Sequence, residues 1–192
     1  MSYTAIFGGT FNPFHIGHYE ILKALCEDEE IEKVILMPDK IPPHKSNDEL
    51  VNDKDRIEMC RLVCSDFPKA ELCLIEFERE GKSYTYDTVK LLKSRYKDTE
   101  FSVVCGGDMI ATLDTWYNFD LLKDEVGFIA FNRSCDSLFE KNVDALRRKG
   151  AKIRIFYNKI TSVSSTSLRK NLNKEFLPPK IYQYIKENGI YD

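Results

Sequence analysis

Tyr3-Thr4-Ala5-Ile6-Phe7-Gly8-Gly9-Thr10-Phe11-Asn12-Pro13-Phe14-His15-Ile16-Gly17-His18 is the stretch from which the fold is read. The apolar-rich run Tyr3–Phe7 reads as a strand and ends in two glycines and a polar turn. A helical pattern begins at once, with Ile21, Leu22, Leu25 and Cys26 on one face. Gly8 and Gly9 permit close backbone approach and unusual φ values just past a strand end. Thr10 and the amides of the helix start can donate to an anion, which the helix dipole also favours. His15 and His18 are three residues apart, so on a first helical turn they point to one spot. Three plainer readings stay open. His18 could continue the apolar face into the core; His15, His18 and His44 could hold a metal; the glycines could only shape a turn. Between a first strand and a first helix, the combination favours a phosphate site.

Outward from this stretch the same plan repeats. Lys33–Met37, Leu72–Phe77, Phe101–Cys105, Val126–Phe131 and Ile153–Tyr157 read as strands, several of them nearly continuous in apolar character. That is the pattern of strands covered on both faces of a parallel sheet. Ile57, Cys60 and Cys64 share a helix face, as do Val89, Leu92 and Tyr96. Pro179 suits the first position of a closing helix through Ile181 and Ile185. Strand and helix in alternation predict an open α/β fold with right-handed crossovers, as one domain over residues 1–192. In such sheets ligands bind beyond the carboxyl ends of the strands, near a topological switch point. The chain's 3 histidines all follow strand ends. The long irregular stretch Pro38 to Asn52 reads as a functional loop.

Composition excludes several classes. Of 192 residues, 28 are Lys or Arg and 31 are Asp or Glu, a net charge of −3 that argues against a nucleic-acid-coating surface. No apolar run approaches the roughly 18 residues of a membrane span. Met1-Ser2-Tyr3-Thr4-Ala5 does not read as a signal peptide, so a cytoplasmic protein without membrane partners is expected. The 6 cysteines contain no C-x-x-C, and no His neighbours Cys60 and Cys64 in sequence. They read as reduced, small apolar side chains. Charge is unevenly spread: Lys141 to Lys174 carries 10 basic residues against Asp144 alone, +9 locally and −12 for the remainder. Arg147-Arg148-Lys149 within it reads as a solvated helix face.

Ser164-Ser165-Thr166-Ser167-Leu168-Arg169 follows the last strand and forms a second candidate anion site. Its hydroxyls can cap a helix or donate to phosphate, and Ser165 and Arg169 share a helix face. An ordinary capped helix with a surface arginine is the alternative. Lys45, in Pro42-Pro43-His44-Lys45, is a loop lysine. Ser83-Tyr84-Thr85-Tyr86-Asp87-Thr88 is a polar helix entry, Trp116 the single tryptophan, and Gly106-Gly107-Asp108 a turn past a strand.

Together these motifs resemble one family. Thr10, His15, Gly17 and His18 look like the T/H-x-G-H signature of nucleotidyltransferases of the α/β phosphodiesterase superfamily. The fuller G-G-T-F-(D/N)-P-x-H-x-G-H form resembles bacterial nicotinate-nucleotide adenylyltransferases, as do I-S-S-T-x-x-R, P-P-H-K and S-Y-T-x-D-T. The resemblance runs from about Tyr3 to Tyr191. It implies a Rossmann-like, doubly wound parallel sheet with helices on both faces, of nucleotidyltransferase type. Asn12 stands where many members carry Asp, and the stretch from Arg169 to Pro178 is shorter than usual.

The resemblance also implies roles. His15, His18 and Thr10 would be catalytic. Gly8, Gly9, Lys45, Gly106, Asp108, Arg133, Ser164, Ser165, Thr166 and Arg169 would bind ATP and its phosphates. Thr85, Tyr86 and Trp116 would bind the nicotinate nucleotide. The reaction implied is adenylyl transfer from ATP to nicotinate mononucleotide, with Mg²⁺ carried by ATP and pyrophosphate and no tightly bound prosthetic group. Self-association into a homo-oligomer is left open. Alternatives are nicotinamide mononucleotide as acceptor, transfer to phosphopantetheine or making CDP-alcohols, a nucleotide-binding regulator without turnover, and a three-His zinc hydrolase.

Overall fold

The computed structural model describes residues 2–41, 50–132 and 137–191. Its first half runs β1 (Tyr3–Gly9), α1 (Ile16–Glu27), β2 (Ile31–Pro38), α2 (Asp53–Cys64), β3 (Ala70–Leu72) and α3 (Thr85–Arg95). Then come β4 (Phe101–Gly106), α4 (Gly107–Ile110), α5 (Phe119–Glu125), β5 (Gly127–Phe131), α6 (Ser137–Arg148) and β6 (Ile153–Phe156). Two helices close the chain, α7 (Ser165–Lys170) and α8 (Pro179–Glu187), the latter with Pro179 opening its first turn.

Among the described residues six strands form one parallel sheet in the order β3-β2-β1-β4-β5-β6. Successive residues of each strand serve opposite faces. Ala5 and Phe7 of β1, Val34 and Leu36 of β2, and Ile129 and Phe131 of β5 enter one core with α1, α2, α7 and α8. Ile6, Ile35, Met37, Phe128 and Ala130 enter the other, beneath α3, α4, α5 and α6. Two-sided burial is why the strand sequences show apolar runs instead of alternation. The chain winds outward from β1 to β3, returns to the centre at β4, and winds out the other way. The topological switch point therefore lies between β1 and β4, and in such sheets the ligand crevice lies past the carboxyl ends of these strands. Among the described residues no helix is long and apolar enough to cross a membrane.

Three expectations are corrected. Leu72–Phe77 is not a strand: β3 ends at Leu72, and Ile75–Glu78 is a 3₁₀ turn. A strand would send Ile75 and Glu76 to opposite faces. The turn buries both, at 1% and 3% exposure, and Thr88 donates its hydroxyl to the Glu76 carboxylate. On α2 the buried face is Arg56, Met59, Cys60 and Val63, while Ile57 and Cys64 are half-buried. The helix is turned so that Arg56 points inward to strand-end carbonyls. Tyr96 follows α3 and is exposed instead of sharing the buried face of Val89 and Leu92.

Cys26, Cys60, Cys64, Cys73 and Cys105 are thiols, all half-buried or buried. Burial pushes Cys26 up to about 11 and Cys64 and Cys105 up to about 12, so they stay protonated at neutral pH. Cys135 lies outside the described residues.

Candidate active site

The two histidines meet where β1 gives way to α1. His15 is the N-cap: its Nδ1 accepts from the His18 amide at 3.3 Å, and the His18 Nδ1 accepts from the His15 amide at 3.3 Å. The rings stack with centroids 3.6 Å apart and planes 14° from parallel. With each Nδ1 accepting, a neutral ring carries its proton on Nε2, so each histidine is a donor there. The same bonds use the His18 amide internally, so it does not face an anion as the helix-start reading expects. His18 also borders Phe11 and Phe14, its ring 5.1 and 5.2 Å from theirs. It is half-buried and His15 almost fully buried.

The glycines act differently from expectation. Gly8 and Gly9 continue strand β1, and the left-handed φ of 49° falls on Phe11. A Cβ on Gly9 would sit 3.0 Å from the Phe11 ring, so this glycine makes room for that ring to fold back. Gly17 has a stricter reason: a Cβ there would sit 2.9 Å from the Thr161 carbonyl oxygen. Glu20 secures that approach, taking the Thr161 amide at 2.6 Å and its hydroxyl at 2.8 Å.

The first and last motifs are joined directly. Ser165 donates its hydroxyl to the Pro13 carbonyl at 3.0 Å, and Arg169 Nη1 donates to the Asn12 carbonyl at 3.0 Å. Ser164 caps α7, accepting from the Ser167 amide at 3.1 Å, and exposed Thr166 accepts from Arg169 Nη2 at 3.4 Å. Arg169 is thus half-buried and bonded to the first motif, not a surface arginine. The Asn12 Oδ1 accepts from the Val51 amide at 3.4 Å and from the Tyr191 hydroxyl at 2.5 Å. Both bonds need only an acceptor oxygen, which Asp would also supply; this accounts for the tolerated Asn. Burial pushes the Tyr191 hydroxyl well above its usual range, so it remains the donor.

Thr10, 8% exposed, directly follows β1, and its carbonyl accepts from Arg56 Nη1 at 3.1 Å. Gly106 and Gly107 mark the end of β4 on the other side of the switch point, with Asp108 exposed on the first turn of α4. The nicotinate candidates form a separate group. Thr85 and Tyr86 open α3, and the preceding loop is tied to the end of β2 by the Ser83 amide on Ile41 O and Lys40 Nζ on Arg79 O. Tyr117 brings the segment of Trp116 alongside: its ring lies 4.7 Å from Tyr84 and 6.4 Å from Tyr86. Trp116 itself is half-buried against the second core. Surface depressions around Tyr3, Lys33 and Phe101 open at the amino ends of the strands, away from all these groups. Lys45, His44 and Arg133 lie outside the described residues.

Sequence reasoning missed Arg56, Glu20, Tyr191 and Tyr117. No local pattern marks the first three, because their partners lie far away in the chain. Tyr117 could have been found as a second ring beside Trp116. Among the described residues no three His, Cys, Asp or Glu side chains converge as a metal set. The groups gathered at the switch point are imidazoles, hydroxyls and an arginine, which suit phosphate oxygens, with the Asp108 carboxylate exposed on the β4 side.

Hydrogen-bonding side chains gathered at the switch point of a 3-2-1-4-5-6 parallel sheet are the arrangement of a nucleotide-handling α/β protein. The chain belongs to the cytidylyltransferase-like family, whose model matches residues 6–171. Within it the kinship is with nicotinate-nucleotide adenylyltransferases. The chain is 34% identical to that enzyme of Bacillus subtilis (strain 168) over the full length of both. It is 35% identical to the probable one of Listeria innocua, over 97% of this chain and 95% of that protein. A Plasmodium falciparum nicotinic acid mononucleotide adenylyltransferase, solved in complex with NaAD, shares the fold with a TM-score of 0.81 at 22% identity, covering 100% of this chain and 98% of that one.

Proposed function

We propose that the protein transfers the adenylyl group of ATP to nicotinate mononucleotide, releasing pyrophosphate and forming deamido-NAD. The observation that carries this reading is the junction of the two motifs: Ser165 and Arg169 bonded to the Asn12–Pro13 turn that feeds the His15–His18 pair. An oxygen of the acceptor's 5′-phosphate attacks the α-phosphorus of ATP in line. The bond from that phosphorus to the bridging oxygen breaks, and its electron pair leaves with pyrophosphate. The substrate supplies the nucleophile, so catalysis is positioning and stabilisation of developing charge.

In this reading His18 donates from Nε2 to the α-phosphate, with His15 and Thr10 holding the reacting phosphates. Ser164, Ser165, Thr166, Arg169 and Lys45 hold the β- and γ-phosphates. Ser165 and Arg169 do so while also bracing the first motif. Gly8, Gly9, Gly106, Asp108 and Arg133 line the nucleotide side. Magnesium comes with ATP, held through phosphate oxygens and water. ATP and the mononucleotide are the partners, and the cytoplasm the place of action.

The base is chosen at the start of α3. Amides at Thr85 and Tyr86, at the positive end of an 11-residue helix, favour a carboxylate over a neutral amide, and Trp116 offers a ring for stacking. Comparing nicotinate and nicotinamide mononucleotides with ATP tests this. A higher kcat/KM for nicotinate is expected, and equal efficiency would defeat the assignment.

A further inference from the structure

We infer that Arg56 is a positioning residue for this crevice, a buried clamp that fixes the peptide planes leaving β1 and β2. This inference deepens the adenylyl-transfer reading and rests on it for its effect on turnover. Arg56 lies on α2 and is fully buried, at 0% exposure. Its Nη1 donates to Thr10 O at 3.1 Å and to Asp39 O at 2.7 Å. Thr10 and Asp39 are the residues immediately beyond the last registered pair of the two strands, Gly9 and Pro38. The Asp39 amide still donates to Gly9 O at 3.0 Å, and beyond it the ladder gives way to the arginine. One guanidinium therefore continues the β1–β2 pairing past the point where backbone bonds alone would release both chains.

Stability gives a poor account of this residue. Its ion-pair partner, Asp53, is 49% exposed, and its Nε has no hydrogen-bond partner among the described residues. A buried, incompletely satisfied charge costs free energy that an apolar side chain of similar volume would avoid. What the guanidinium does achieve is local. A trans peptide is planar, with its N–H opposed to its C=O, so holding Thr10 O also sets the direction of the Phe11 amide. Phe11 sits at φ 49°, a left-handed conformation that is unfavourable for a non-glycine residue and has to be held by its surroundings. Thr10 and the turn to His15 hang on that plane. The guanidinium carbon lies over the Phe77 ring, 5.8 Å from its centroid, so the ring packs the clamp from that side.

The test has two readouts. The first needs no substrate: backbone amide resonances of Phe11 and Lys40, the amides that follow the clamped carbonyls. The second is turnover per folded molecule. Arg56→Lys keeps the charge but replaces the planar guanidinium, whose Nη1 meets both oxygens while Nη2 meets Asp53, with a shorter, tetrahedral ammonium. It is expected to move both resonances and lower kcat about tenfold, with KM for ATP changed less than about threefold. Asp53→Asn, which leaves both carbonyl bonds in place, is expected to leave kcat and both resonances near wild type. Unmoved resonances in Arg56→Lys, or an unchanged kcat, would overturn the clamp. So would a loss in Asp53→Asn equal to that in Arg56→Lys. If Arg56→Lys does not fold, Phe77→Leu replaces it, with resonances that move expected and resonances that stay overturning the inference. A wild-type protein that makes no dinucleotide would refute the reaction instead, while the resonances would still judge the clamp.

Discussion

In the proposed reaction His18 carries the chemistry with a side chain that is also structural. Its Nδ1 accepts from the His15 amide and its ring is set among Phe7, Phe11 and Phe14, so a neutral ring carries its proton on Nε2. His18→Ala removes that donor while sparing the fully buried Phe11 and Phe14. The variant is expected to fold, to bind ATP nearly as wild type does, and to lose on the order of 10²–10³ in turnover. Steady-state kinetics with ATP titration checks this, and near-normal turnover would contradict the assignment. The convergence of the two histidines was legible from their spacing. The cap was not, because imidazole is not a usual N-cap side chain. Arg56 was illegible for a related reason: an arginine inside a helical pattern reads as its solvent face, and its bonds to Thr10 and Asp39 span 46 and 17 residues.

At the scale of elements, buried strands announced themselves by continuous apolar runs, and Pro179 by its place at a helix start. The same signal failed at Leu72 to Phe77, because a short apolar run does not separate an edge strand from a buried turn. One contact between elements has a pH signature. Arg154 of β6 grips Asp28, the C-cap of α1, at 2.9 and 2.7 Å and also reaches Tyr3 and Glu30. Burial alone would raise the Asp28 carboxyl, but the bonds from Arg154 and from the Glu30 and Ile31 amides outweigh it and hold the group below its usual range. A carboxyl lowered by folding stabilises the protein above its unfolded value, near 4, and loses that effect as pH falls through the lowered value. Arg154 is partly exposed, so solvent screening keeps the effect modest. Arg154→Gln is expected to lower Tm by about 2–4 °C above roughly pH 5, with the gap closing on acidification below about pH 4. Thermal scans across pH check it, and a gap independent of pH would contradict the ion pair as its source.

In the whole molecule, the sheet order brings the two ends of the chain to one crevice. Arg169 and Asn12 are 157 positions apart, and Tyr191 and Asn12 179. No local pattern reports contacts of that span, so only the resemblance of the two motifs linked them before the structure did. The basic segment from Lys141 to Lys174 is distributed the same way. Lys149 pairs with Asp114, Arg154 with Asp28 and Glu30, and Arg147 with Asp144, while Arg169 turns to the crevice. Lys149 and Arg154 thus join the basic segment to the acidic remainder, Arg147 pairs within the segment, and a bound phosphate would feel the few local donors more than the net charge. The most direct test of the central claim is incubation with ATP and nicotinate mononucleotide, quantifying both products. The account predicts one pyrophosphate released for each deamido-NAD formed. ATP left intact, or pyrophosphate released without the dinucleotide, would contradict it.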